Sequence, residues 1–244
     1  MTHEIRRSSF LLRCHQRSVI VALLLISVEP ALAIGPENKI YLGPALKAGT
    51  RTLNALVMLT PTASMVVGGT WTILRTEDSA ELSQQAAKLL IDVFTKTGWA
   101  IDKDSLSEES VAGDAKLGNL VAFLRERHAQ MIREMASRPK DVTKGAFSFG
   151  PDVAVLGASA HADALLLADV RAVKPPKLVK GLLAAGSLGA TLRAPDVWVG
   201  APQISLIDPT TGDVLCFINV WDSRPDKLSK TLKALRAHVP AERR

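Results

Sequence analysis

His161-Ala162-Asp163-Ala164-Leu165-Leu166-Leu167-Ala168-Asp169-Val170 is followed, after a long insert, by Ile204-Ser205-Leu206-Ile207-Asp208-Pro209-Thr210-Thr211-Gly212-Asp213-Val214-Leu215-Cys216-Phe217. The reading of this stretch decides the fold. It is a strand, an insert and then a β-hairpin, because Pro presets φ and Gly accepts the positive φ that tight reversals use, and both sit between two apolar runs. On the second hairpin strand Val214, Cys216, Ile218 and Val220 fall on one face and Leu215, Phe217 and Trp221 on the other. Both faces are apolar, so the sheet is expected to be covered on both sides, with the greasy insert as one cover.

Helical periodicity flanks this stretch. Leu82, Ala86, Leu89, Leu90, Val93 and Phe94 mark a first helix, with Asp78 as its cap and Gly98 as its stop. A short strand, Trp99 to Ile101, and a polar loop, 102 to 113, lead to a second helix carrying Leu117, Leu120, Val121, Leu124, His128, Met131, Ile132 and Met135 up to Pro139. His128 on that apolar face reads as a hydrogen-bonded core or boundary residue and not as a ligand. A third helix is expected over Pro151 to Ala160 and a last one over Asp226 to Ala237. Leu53 to Leu59 reads as a strand stopped by Pro61, and Met65 to Val67 with Thr70 to Ile73 as two arms around Gly68-Gly69, either of a hairpin or of a loop crossing. The fold class is α/β (α+β): a single mixed sheet packed with about four helices, closed by a hairpin and a helix.

The organisation follows from composition. Arg6, Arg7, Arg13 and Arg17 precede an apolar run from Ser18 to Val28, and Ala31-Leu32-Ala33 offers the small residues of a cleavage site. Residues 1–33 therefore read as a signal peptide cleaved after Ala33, and Glu29-Pro30 ends the run before the roughly 20 residues a membrane span needs. The expected location is periplasmic or secreted. Arg13 beside Cys14 excludes a lipoprotein signal, since a small residue is required there. Residues 34–52 read as an extended lead-in, 53–240 as one domain and 241–244 as a basic tail. Net charge is +6 for the whole chain and +4 without the first 33 residues, and no lysine and arginine stripe alternates with aromatics, so nucleic acid is not an expected partner. Cys216 alone remains after processing, which excludes an internal disulfide.

Chemistry-bearing patterns are few. Gly157-Ala158-Ser159-Ala160-His161 stops one glycine short of a nucleophile elbow, with Ser159 as nucleophile and His238 as the base. That reading needs Val153 to Leu156 as a strand and Ala162 to Val173 as a helix, the reverse of the reading above. The histidines outside the leader, His128, His161 and His238, are scattered, so neither metal nor cofactor is expected. Gly181 to Ser187 has phosphate-loop spacing without its lysine. The insert 178–192 is apolar, carries Leu182, Leu183, Leu188 and Leu192, and is bracketed by Lys174, Lys177, Lys180 and Arg193. It is the expected contact segment for a subunit, a protein partner or the membrane periphery.

The order of elements, the Ala162-Asp163-Ala164 phrase opening a strand, and Asp208 ahead of Gly212-Asp213 linking two later strands give a resemblance. From Leu53 to Ala237 the chain resembles the bacterial envelope α/β domain of the curli-secretion lipoprotein, the amino-terminal domain of the Tol propeller protein and the peptidoglycan-synthase activator. The resemblance implies an envelope location and an assembly role, and it brings no catalytic residue. The chain departs from several members in lacking their lipidated cysteine, and its insert is too short for the paired strands, about ten residues each, of a membrane pore. The expected function is a non-enzymatic accessory protein that binds or assembles with envelope components. The enzymatic alternative is a serine hydrolase.

Overall fold

The computed structural model describes residues 37–67, 76–174, 198–199, 202–221 and 223–239. The predicted signal peptide, the second arm Thr70 to Ile73, the insert 178–192 with Leu182, Leu183, Leu188 and Leu192, and the basic tail lie outside these residues. In chain order the elements are β1 (Lys39–Leu42), α1 (Pro44–Lys47), β2 (Ala55–Met58), β3 (Thr62–Val67), α2 (Thr76–Lys96) and β4 (Ala100–Asp102). There follow α3 (Glu108–Val111), α4 (Ala115–Ser137), α5 (Pro139–Val142), α6 (Val153–Ala160) and β5 (Ala164–Lys174). The chain continues with β6 (Trp198–Val199), β7 (Gln203–Ile207), β8 (Val214–Asn219) and α7 (Pro225–His238).

Eleven residues long, β5 is the axis of one mixed sheet in the order β1-β8-β7-β5-β2-β4. On one side it pairs in parallel with β2 and then with β3, which continues the same path beyond Pro61; on the other it pairs antiparallel with β7 and β6. Proline lacks the amide a ladder needs, which accounts for the break between β2 and β3. Asp163 fixes the register of this centre, its carboxylate accepting the amides of Asn54 at 2.8 Å and Ala55 at 2.9 Å. The α/β architecture and the closing hairpin and helix are as expected from sequence.

Alternation along β5 divides the core. Ala164, Leu166 and Ala168 face one layer with Ile204, Leu206, Cys216 and Ile218, covered by α2 and α7 through Leu90, Phe94, Leu228 and Leu232. Leu165 and Leu167 face the other with Ile207 and Phe217, covered by α4, α5 and α6 through Leu124, Ile132, Val142 and Leu156. Helices therefore cover both faces of the hairpin, where the apolar insert was the expected cover. The face assignment on β8 also changes at its start. Ile207 pairs with Val214 and Leu206 with Cys216, so Leu215 is an extra residue, a bulge, and Val214 joins Phe217 while Leu215 joins Cys216. Gly43 serves the bulge, its amide donating to the Leu215 carbonyl at 2.8 Å, and a Cβ there would meet the Val214 oxygen at 2.5 Å.

Other local differences have equally plain causes. Part of the extended lead-in is β1, antiparallel to β8, with Tyr41 stacked on Phe217 at 6.1 Å between ring centres. The polar loop contains α3, capped by the Ser107 hydroxyl accepting from the Ser110 amide. Helix α2 starts at Thr76, which puts Asp78 inside its first turn instead of at the cap. The Met65–Val67 arm belongs to β3, whose described partner is β5.

Candidate functional site

Ser159 lies in a helix, and that corrects the elbow reading. Residues Val153–Ala160 form α6 and Ala164–Lys174 a strand, so the strand-to-helix order an exposed nucleophile requires is inverted. The Ser159 hydroxyl donates to the Val155 carbonyl at 3.0 Å, one turn back in its own helix. Its helix packs on one face of the sheet through Leu156 and Ala160, whereas His238 ends α7, which packs on the opposite face through Leu228, Leu232 and Leu235. The sheet separates the two residues, and they form no dyad. The glycine of the motif has a packing role: a Cβ at Gly157 would stand 2.5 Å from both the Cβ and the carbonyl oxygen of Pro209. Helix α6 thus sits directly on the β7–β8 turn.

A different serine and histidine do meet. His128 Nε2 is 3.0 Å from Ser205 Oγ, with the imidazole stacked on Phe149. They are 1% and 0% exposed, so no substrate reaches them. Burial lowers the His128 pKa to about 3, keeping the ring neutral and the pair a core hydrogen bond. This agrees with the core role read for His128 in the sequence. On the same face the next row across the sheet is polar: Asn219, Gln203, Asp169 and Thr62 are successive cross-strand partners. The Asp169 carboxylate accepts from the Thr62 hydroxyl at 2.9 Å and from Arg171 Nε at 3.1 Å, and the Gln203 amide donates to the Val220 carbonyl. Within that row the Thr62, Asp169 and Gln203 side chains are held by these bonds, while Gln203 Oε1 is buried without a partner among the described residues.

Asp208, at the head of the β7–β8 turn, takes a bidentate pair from Arg51 at 2.9 and 2.6 Å and accepts the Thr210 amide at 2.8 Å. Burial alone would raise its pKa, but the bonds from Thr210 and Arg51 and the Arg51 charge outweigh it, and the carboxyl titrates below its ordinary value. This is a turn clamp. Cys216 is fully buried, and burial pushes its thiol far above the usual range, which leaves it an inert hydrophobe. Among the described residues no three His, Cys, Asp or Glu side chains gather to hold a metal, and no helix is long and apolar enough to cross a membrane.

What the surface does offer is a groove of about 760 Å³ beside the edge of the sheet. Ala87, Lys88, Ile91 and Lys96, on one stripe of α2, and Lys103, directly after β4, line it. Strand β4 ends the sheet order, and among the described strands only β2 pairs with it. Ala87 and Ile91 are half-buried and rest on the core, forming an apolar floor. Lys96 is paired with Asp92 at 2.8 Å, Lys103 reaches Asp104 at 3.7 Å with both ends exposed, and Lys88 has no ion pair among the described residues. Asp102, at the end of β4, is engaged locally: bonds from the Ser105 hydroxyl and amide, and then from the Asp104 amide, hold its carboxyl below the ordinary pKa. Ala87 and Ile91 were visible in the sequence as apolar residues off the core stripe of α2, a signal that the sequence reading passed over.

The described chain is an α/β protein of three layers, helices on either side of one mixed sheet. Compared with protein families, curated proteins and solved structures, it matches none.

Proposed function

We propose that this chain is an exported, non-enzymatic binding protein of the bacterial cell envelope that takes a protein partner at the open edge of its sheet. The observation that carries this reading is the terminal strand β4 beside the groove along α2. An edge strand presents unpaired backbone donors and acceptors, and a neighbouring apolar floor gives a partner's side chains somewhere to go. The signal-like residues 1–33 and the resemblance to envelope assembly domains support the location and the accessory role. The serine hydrolase alternative loses its support with Ser159 and His238 on opposite sides of the sheet.

Site-specific photo-crosslinking in living bacteria tests the reading. A photoreactive residue at exposed Ala100 should give a discrete adduct with an envelope protein, and the same residue at exposed Lys140, on α5 of the opposite layer, should not. No adduct at Ala100, or equal adducts at both positions, would overturn it.

A further inference from the structure

Resting on the envelope location in that reading, we infer that the exposed face of α7 docks on the anionic headgroups of a lipid membrane through Lys227, Lys230 and Lys233. The helix buries Leu228, Thr231, Leu232 and Leu235 and leaves these three lysines exposed. Placed three residues apart, each lies about 60° back from the last, so together they spread over about 120° of the helix surface. None of them has an ion pair among the described residues, and the one carboxylate of the helix is Asp226, in its first turn. The fourth long cation is held by the protein itself: Arg236 lies over the Trp99 ring, 4.6 Å from its centre, and donates to the Leu53 carbonyl at 3.0 Å.

Charge alone would suit any polyanion, and two further observations select the membrane. Beyond Pro225 in its first turn, the exposed face of α7 carries no apolar side chain larger than those of Ala234 and Ala237. It lacks the aromatic and aliphatic anchors around which protein interfaces are built, whereas a headgroup layer needs only ammonium groups spread over a surface. The second observation is where the chain enters the domain. Asn38 bonds to both α7 and the residues after β8, its amide donating to the Thr231 hydroxyl at 3.1 Å and its side-chain carbonyl accepting the Trp221 amide at 2.8 Å. Lys227 stands one turn of helix before Thr231, whose hydroxyl donates to the Lys227 carbonyl at 2.9 Å. Residues 34–38 are all that separate the predicted cleavage site from this anchor, a reach of at most about 18 Å when fully extended. While the leader is held in a membrane, that tether keeps Asn38, and α7 beside it, within the same distance of the lipid. The charges flanking Asn38, Glu37 and Lys39, offset each other and leave the α7 lysines to set the sign. Docking there also leaves β4 free for a protein partner, since Asn38 precedes β1, at the other end of the sheet order.

Vesicle sedimentation with the processed protein, recovered from an expressing bacterium, tests the inference. Vesicles of mixed phosphatidylglycerol and phosphatidylcholine should bind it, vesicles of phosphatidylcholine alone should not, and added salt should release it. A lysine near an anionic surface contributes about a fivefold factor in binding, so Lys230→Gln should weaken partitioning about fivefold and Lys227→Gln, Lys230→Gln and Lys233→Gln together about a hundredfold. Lys227→Arg, Lys230→Arg and Lys233→Arg together should retain it. Arg133→Gln with Lys140→Gln, at exposed positions of the opposite layer, should leave it unchanged, and all these variants should keep the parent melting temperature. Equal binding to neutral vesicles, unweakened binding by the glutamine variants, or an equal loss in the opposite-layer pair would overturn the inference. So would a preference for soluble polyglutamate over the anionic vesicles, which would assign the lysines to an acidic protein. Vesicle binding reads this inference and the Ala100 crosslink reads the partner site, so an Ala100 adduct without vesicle binding would defeat this inference and leave the proposed function standing.

Discussion

His128 makes the clearest prediction at the scale of one residue. Its folded pKa, about 3, lies below the ordinary value of 6.5, so the unfolded chain binds a proton that the folded chain refuses. The sign follows: its contribution is complete above 6.5 and is lost as pH falls from there towards 3, with a slope approaching about 1.4 kcal/mol per pH unit. Urea unfolding at pH 7.5 and pH 5 should show that loss in the parent, and a His128→Leu, Ser205→Ala double substitution should flatten it. The double change is needed because removing His128 alone would strand the buried Ser205 hydroxyl at a cost of about 1–3 kcal/mol. The contribution of Asp208, whose carboxyl titrates below its ordinary value of 3.8, is lost only as pH falls past that value, so it does not mask the His128 change between pH 7.5 and pH 5. The burial of His128 was legible in sequence from its place on an apolar helix face. Its partner was not, since Ser205 lies on a strand 77 positions away.

Among the elements, α6 separates packing from chemistry. Gly157→Ala drives a methyl into Pro209 and must push the helix off the β7–β8 turn, an overpacking that should cost about 1–3 kcal/mol. Ser159→Ala removes only a hydroxyl bonded back to its own helix and should stay within about 0.5 kcal/mol of the parent. Thermal melts of the two variants distinguish a packing motif from a nucleophile motif, and a larger loss at Ser159 would reverse the assignment. Elements with strong periods were legible: α2, α4 and α7 by their three-four spacing, and β5 and the hairpin by apolar runs bounded with turn residues. Strand β1 was not. Lys39-Ile40-Tyr41-Leu42 stands between Pro36 and Gly43-Pro44 and becomes a strand through its pairing with β8. The Leu215 bulge was hidden for the same reason, because it depends on what Gly43 does from the other end of the chain. The groove followed from neither pattern, since a solvent-facing stripe of α2 becomes a site only when β4 and Lys103 are folded beside it.

Over the whole molecule, stability should be graded outward from the centre of the sheet. Strands β5 and β7 have neighbours on both sides, with Ala164–Val170 and Ile204–Ile207 buried, while β1 and β4 end the order. Native-state hydrogen exchange should accordingly find the slowest amides in Leu165–Ala168 and Ile204–Leu206 and faster ones in Lys39–Leu42 and Ala100–Asp102. Uniform protection across all strands would contradict the grading. The pairing of β1 with β8 also has a bearing on time. The amide of Trp221 reaches the side chain of Asn38 across 183 positions, so the first strand completes its ladder only after nearly the whole described chain is present. During synthesis from the amino end, Ile40, Tyr41 and Leu42 emerge early and wait with their apolar side chains uncovered. The interval is set by the length of the chain and not by the strength of any contact. For its duration the edge of β8 that receives this strand is not yet made, and the amino end of the domain has no place to fold onto.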